Sequence, residues 1–179
     1  MMKNVLIIST SLRHQSNSDA LAEAFAQGAR AAGHQMEKIS LVGKELHFCQ
    51  GCLACLQTGV CTIKDDAIAI AQKLAQCDVV VFATPIYYYE MSGQMKTLLD
   101  RMNPLYDSDH RFREVYLLDT AAEAEESAMD GAVKGLSGWV DCFPKAALKG
   151  VLRATGVDNA GAISGQPVLE QAYALGQHC

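Results

Sequence analysis

Val5-Leu6-Ile7-Ile8-Ser9-Thr10-Ser11-Leu12-Arg13-His14-Gln15-Ser16-Asn17-Ser18 is the stretch on which the reading of this chain turns. Its four leading apolar residues have the composition of a buried parallel strand. The hydroxyl-rich residues after them run straight into a helix. Leu21, Ala24, Phe25, Ala29 and Ala32 recur at helical spacing from Asp19, and Gly33 stops the pattern. Gly28 falls on the same face and predicts close packing of this helix against the sheet.

The alternation continues to the other end of the chain. Met36 to Val42 reads as a second strand, and Lys44 to Lys64, with no clear period, as a loop. Asp65-Asp66 caps a helix carrying Ile68, Ile70, Leu74 and Ala75. Asp78 to Thr84 is the strongest strand signal, ended by Pro85, and Met91 to Met102 is helical. Glu114 to Leu118 and Leu148 to Ala154 are strands; Ser127 to Phe143 and Val168 to Leu175 are helices. Strands alternating with helices predict an α/β three-layer sandwich. Right-handed crossovers leave two common strand orders, and five strands fit a parallel sheet in the order 2-1-3-4-5, helices on both faces. No linker or repeat interrupts residues 1–179, so one domain is expected.

Composition narrows the function. A formal charge of -5 from 15 basic and 20 acidic residues, with no Lys/Arg block, argues against nucleic acid and anionic membranes as partners. No apolar run reaches the roughly 20 residues of a membrane span. The strand pattern starts at once and leaves no room for an export signal, so the expected location is the reducing cytoplasm. Seven cysteines stand out, four of them in one stretch: Cys49, Cys52, Cys55 and Cys61.

Ligands of such sheets sit beyond the carboxyl ends of the strands, which singles out the loops after strands one, three and four. The first loop offers hydroxyls, Asn17 and Arg13 at a helix N-terminus, a setting for phosphate. It lacks the Gly-x-Gly-x-x-Gly and Gly-Lys-Ser/Thr spacings, so a terminal monophosphate fits better than a pyrophosphate. The second loop, Thr84-Pro85-Ile86-Tyr87-Tyr88-Tyr89-Glu90-Met91, brings backbone donors and aromatic edges to the same sheet edge. A planar ligand such as a flavin needs both. At least one of the three tyrosines is expected to pack under the following helix. Acidic Glu123, Glu125 and Glu126 read as first-turn helix residues facing water.

Ser9-x-Ser11-x-Arg13-x-x-Ser16-Asn17-Ser18 together with Thr84-Pro85-Ile86-Tyr87-Tyr88-Tyr89 resembles the NADPH-dependent FMN reductase family, flavodoxin-like proteins that include the iron–sulfur flavoproteins. The resemblance continues through Gly93-Gln94-Met95-Lys96 and Leu99-Asp100-Arg101. It implies that Ser9, Ser11, Arg13, Ser16, Asn17 and Ser18 hold the FMN phosphate. Pro85, Ile86, Tyr87 and Tyr88 would line the ring, with Thr120 and Ala121 flanking it. The implied activity is an NAD(P)H oxidoreductase: hydride reaches FMN N5, and electrons pass to a small-molecule acceptor or a redox protein. The flavin carries the chemistry, and no side chain is named as catalytic. A homodimer or homotetramer is implied as well. The alternative is a flavodoxin-like electron carrier that docks a redox partner.

Cys49-x2-Cys52-x2-Cys55-x5-Cys61 leaves several readings open. Compact thiolate runs suit a [4Fe–4S] cluster, and the spacing resembles that of the iron–sulfur flavoproteins. The same thiols could form a redox-active or structural loop, or hold zinc. Cys77 and Cys142 read as small core residues. The five histidines have no metal-ligand spacing, and Ser9 and Ser11 have no His/Asp partners in a triad order.

Overall fold

The computed structural model describes residues 1–179. Its core is one sheet in which β1 (Asn4–Ser9), β2 (Gln35–Ser40), β3 (Val79–Tyr87), β5 (Glu114–Thr120) and β6 (Ala147–Ala154) run parallel in the order β2-β1-β3-β5-β6. Renumbered without the two-residue β4 (Glu90–Met91), this is the flavodoxin-like 2-1-3-4-5 order expected from the sequence. The sequence reading does not contain β4. It pairs antiparallel with the end of β3, Ile86 opposite Met91 and Tyr87 opposite Glu90. Pro85 does not end the strand, because pairing with β1 stops at Ala83 while β5 continues to pair as far as Pro85. A missing N–H at that edge leaves no β1 carbonyl without a donor.

Burial on both faces explains the unbroken apolar runs. Leu6, Ile8, Val80, Phe82, Val115 and Leu117 point into a layer under α3 (Asp66–Gln76), α4 (Gly93–Arg101) and α5 (Asp130–Asp141). Val5, Ile7, Val79, Val81 and Leu118 face α1 (Asn17–Ala31) and α6 (Val168–Gln177). A short helix, α2 (Ala54–Thr58), lies inside the cysteine segment, where the sequence shows only a loop. Asp65 caps α3 as expected, and Ser16 and Ser92 cap α1 and α4 by accepting from the N–H groups of Asp19 and Met95. The segment expected as one helix from Ser127 opens as a 3-10 turn, Glu126–Met129, before α5 begins. Cys142 is exposed rather than in the core, its thiol donating to the Gly138 carbonyl.

Gly28 serves a different neighbour from the one expected. A Cβ there would lie 1.9 Å from the Tyr173 carbonyl oxygen, so it admits α6, not the sheet. Gly176 is the reciprocal contact, 2.1 Å from the Phe25 carbonyl oxygen. Backbone against backbone cannot yield by a rotamer change. Gly28→Ala should therefore destabilise the fold by about 2–4 kcal/mol, measured by urea denaturation, whereas Gly138→Ala, which meets open space, should not.

Candidate functional site

The carboxyl ends of β1, β3, β5 and β6 surround a cavity of about 510 Å³, within the size range of small-molecule and cofactor sites. Ser11, Arg13, Ser16 and Asn17 form one end. Pro85 to Tyr89 form a wall, Thr120 to Glu123 with Ala128 the opposite wall, and Val157 with Asp158 close it. Ten of the twelve residues expected to bind the cofactor thus come together. Ser9 and Ser18 do not line the cavity. Ser9 is buried with its Oγ unpartnered, and Ser18 is fully buried with its hydroxyl 3.0 Å from that of Ser16.

The hairpin wall departs most from expectation. Tyr87, Tyr88 and Tyr89 are 50%, 100% and 63% exposed, so none packs beneath the following helix. Pairing of Tyr87 with Glu90 turns the chain back before α4 starts at Gly93. The two central residues, Tyr88 and Tyr89, carry φ of 50° and 65°, the left-handed pair that a tight two-residue hairpin demands. For residues with a Cβ this costs on the order of 1–3 kcal/mol each. The rings are held out beside the cavity at that expense.

Asn17 also differs from the reading of it as a phosphate ligand. Its Nδ2 donates to the carbonyls of Val157 (3.0 Å) and Asn159 (2.9 Å), and its Oδ1 accepts from the Ile163 N–H (3.2 Å). The side chain is a staple for the segment after β6, leaving only its backbone to the cavity. Arg13 Nη1 adds a bond to the Asp158 carbonyl (2.5 Å), and the Gly161 N–H one to the Gln15 carbonyl (3.0 Å). Val157 and Asp158 escape the sequence reading because nothing in their local sequence signals a ligand. Their position after the last strand, at the same sheet edge, is the one available clue.

The four clustered cysteines do not converge. Cys49 and Cys52 are exposed, Cys55 is buried and Cys61 half-buried. No three His, Cys, Asp or Glu side chains form a group that could hold a metal ion. A buried clamp holds the inner side of this segment. Arg101 Nη1 and Nη2 grip the Asp65 carboxylate at 2.5 and 2.9 Å, with both side chains fully buried. The remaining Nη donors reach the His47 and Ile63 carbonyls and the Cys61 sulfur (3.4 Å). Asn103 Nδ2 donates to Cys55 Sγ (3.3 Å). Two thiols are thus drawn inward, while positive φ at Gly51 and Leu53 turns the chain around the outer two. Burial raises the Asp65 pKa, but the Arg101 guanidinium and the His47 and Ala67 N–H groups outweigh it and bring the carboxyl down to about 2. Cys52 is lowered by the Ala54 backbone and then by the Thr62 hydroxyl.

Residues 3–156 match the NADPH-dependent FMN reductase family. The chain belongs to that family. A Bacillus subtilis relative named as a putative NAD(P)H-dependent FMN-containing oxidoreductase, YwqN, is 30% identical over 74% of this chain and 71% of its own length. An iron–sulfur flavoprotein of Archaeoglobus fulgidus is 34% identical over 58% of this chain. The chain spans about half the length of the iron–sulfur flavoproteins it matches, 46% for that one. Among solved structures, the NAD(P)H:quinone oxidoreductase from Methanothermobacter marburgensis superposes with a TM-score of 0.75 over 99% of this chain and 96% of its own, at 18% identity. That likeness is one of fold. No helix in this FMN reductase family member is long and apolar enough to cross a membrane.

The clamp can be tested in two ways. Arg101→Gln leaves Asp65 buried and unpaired, and should cost about 3–5 kcal/mol while speeding the reaction of Cys55 and Cys61 with a thiol reagent. The ion pair should also shape acid stability. A carboxyl held below its unfolded value stabilises the fold above about pH 4, and that contribution is lost as pH falls through about 2. Asp65→Asn should flatten the decline between pH 4 and 2 in acid denaturation followed by circular dichroism.

Proposed function

We propose that this chain is an FMN-dependent NAD(P)H oxidoreductase. The observation that carries the reading is one cavity lined at one end by Ser11, Arg13 and Ser16 at the start of α1 and along one side by Pro85 to Tyr89, in a member of the FMN reductase family. The residues fit that cofactor. The N-terminus of α1 presents unpaired backbone N–H groups beside the Ser11 and Ser16 hydroxyls, and Arg13 is the cation at that end. Pro85, Ile86 and Tyr87 to Tyr89 supply the surface for a planar ring, opposite Thr120 to Ala122. When bound, FMN would supply the capacity to accept hydride from NAD(P)H and to pass electrons on.

The chain's own part is placement. Arg13 would exchange the Asp158 carbonyl for phosphate, and Ser16, already capping α1, is held in position for it. Asn17 holds the Val157–Asp158 wall in place. Ala121, Ala128 and Val157 are buried at the cavity wall and would keep water from the part of the ring beside them. The exposed Leu12 and Tyr87 to Tyr89 support a second copy of the chain beside the cavity mouth, as a homodimer or homotetramer.

The names of the archaeal relatives and the four clustered thiols favour one second reading, an iron–sulfur electron carrier. The thiols as placed do not fit a [4Fe–4S] cluster, and nothing in the main reading runs through one. Iron and sulfide analysis of anaerobically purified protein decides: stoichiometric iron favours the carrier, flavin alone the reductase.

The purified chain should bind FMN and oxidise NADH or NADPH with an added quinone in steady-state assays. FMN bound without reduction by either nucleotide would overturn the enzyme reading. Arg13→Ala should raise the Kd for FMN roughly ten- to hundred-fold, the range for one charge-assisted hydrogen bond.

A further inference from the structure

Asp119 is a carboxyl with no role in the site described so far. It lies at the end of β5, is 0% exposed, and neither of its oxygens has a hydrogen-bond partner. A buried polar group in that state is rare and costly. The next two residues, Thr120 and Ala121, line the cofactor cavity.

We propose that Asp119 is a positioning residue for the cofactor cavity, and that ligand binding there is coupled to a proton held on its side chain. The proposal rests on the flavin reading of the cavity.

The surrounding charges show why. In the sheet Asp119 stands opposite Thr84 of β3 and Arg153 of β6. The Thr84 hydroxyl is occupied with Ser92 and the Pro85 carbonyl. Arg153, the cation in register, is turned elsewhere: its Nη1 donates to the Glu126 carbonyl (3.0 Å) and its Nη2 pairs with Asp130 of α5 (2.9 Å). Glu126, on the 3-10 turn, adds a like charge nearby. Burial pushes the Asp119 pKa up to about 7, with Arg153 and the residue's own backbone N–H opposing and Glu126 assisting. Below that pH the side chain keeps its proton.

Ionisation would create a buried anion with no donor from any neighbouring side chain, only its own backbone N–H acting on it. Relief requires either Arg153 to swing onto Asp119 or water to enter. The first breaks the two contacts that tie β6 to the Glu126–Met129 turn and α5, and Ala128 of that turn lines the cavity. The second opens the wall at Thr120. Either way, the walls that would receive the ring move when the proton leaves. By linkage, a ligand that binds the present arrangement raises the proton affinity of Asp119.

The test is the Kd for FMN, from flavin fluorescence quenching between pH 6 and 9. For the wild type we expect a constant value below about pH 7 and, above it, weakening of up to about ten-fold per pH unit, the limit for one coupled proton. Asp119→Asn should remove that slope while keeping the low-pH affinity. Arg153→Gln, which removes the cation in register, should move the break to higher pH. A wild-type affinity that does not change above pH 7, or an Asp119→Asn variant that retains the slope, overturns the proposal. Should Asp119→Asn fail to fold, or FMN fail to bind, carboxyl 13C titration of the wild-type chain decides separately. A midpoint between pH 6 and 8 supports the role of Asp119, and one below that window overturns it. Absence of FMN binding at pH 6 counts against the flavin reading itself.

Discussion

The constraint on which the rest depends is a parallel sheet buried on both faces. β1, β3 and β5 carry side chains into two separate apolar layers, and several of those residues have no measurable exposure. No polar group can be placed in the middle of such strands without a partner. Polar chemistry is therefore forced to the strand ends. Because all five long strands run the same way, their carboxyl ends fall along one edge. The cavity is the consequence of that geometry. Asp119, like Ser9 at the end of β1, is an unpartnered polar group just inside the boundary, one residue before the chain reaches the cavity wall.

Two polar fastenings hold the segments that the sheet does not. Arg101 and Asp65 form a fully buried pair whose remaining donors collect the ends of the cysteine segment. Losing either partner would leave the other as an unpaired buried charge, which is why the pair fixes the ends of the segment together. Asn17 does the same for the segment after β6, with three hydrogen bonds to residues more than a hundred positions away in sequence. Both fastenings use residues that look, in sequence, like ligand-binding or surface groups. Arg101 follows Asp100 at the end of an ordinary helix, and nothing local marks it as a fully buried side chain.

Much of the fold was legible because its determinants are local. The apolar run from Val79 to Ala83, the helical spacing after Asp19 and the caps Asp65 and Ser16 each report on their own neighbourhood. The elements that the sequence does not show depend on distant partners. β4 exists because β3 outruns β1, and the exposure of Tyr88 follows from that hairpin. The inward placement of Cys61 and Cys55 depends on Arg101 and Asn103, some forty residues beyond them. The expectation for Cys142 fails for a simpler reason: it sits at the C-terminal cap of α5, where the apolar face of the helix no longer governs the side chain.

By itself the sequence determined the layer architecture and the family, since apolar period, helix caps and the two loop motifs are short-range properties of the chain; the expected strand order came from general rules for such sheets. The sequence also pointed to the loops that line the cavity. Tertiary structure alone decided which residues of those loops face the cavity: Ser9 and Ser18 turn inward, Asn17 becomes a staple, and Val157 and Asp158 join from the far end of the chain. It alone decided that Asp119 has no partner, because whether a buried carboxyl is satisfied depends on where Arg153, on the neighbouring strand, finds its own hydrogen bonds.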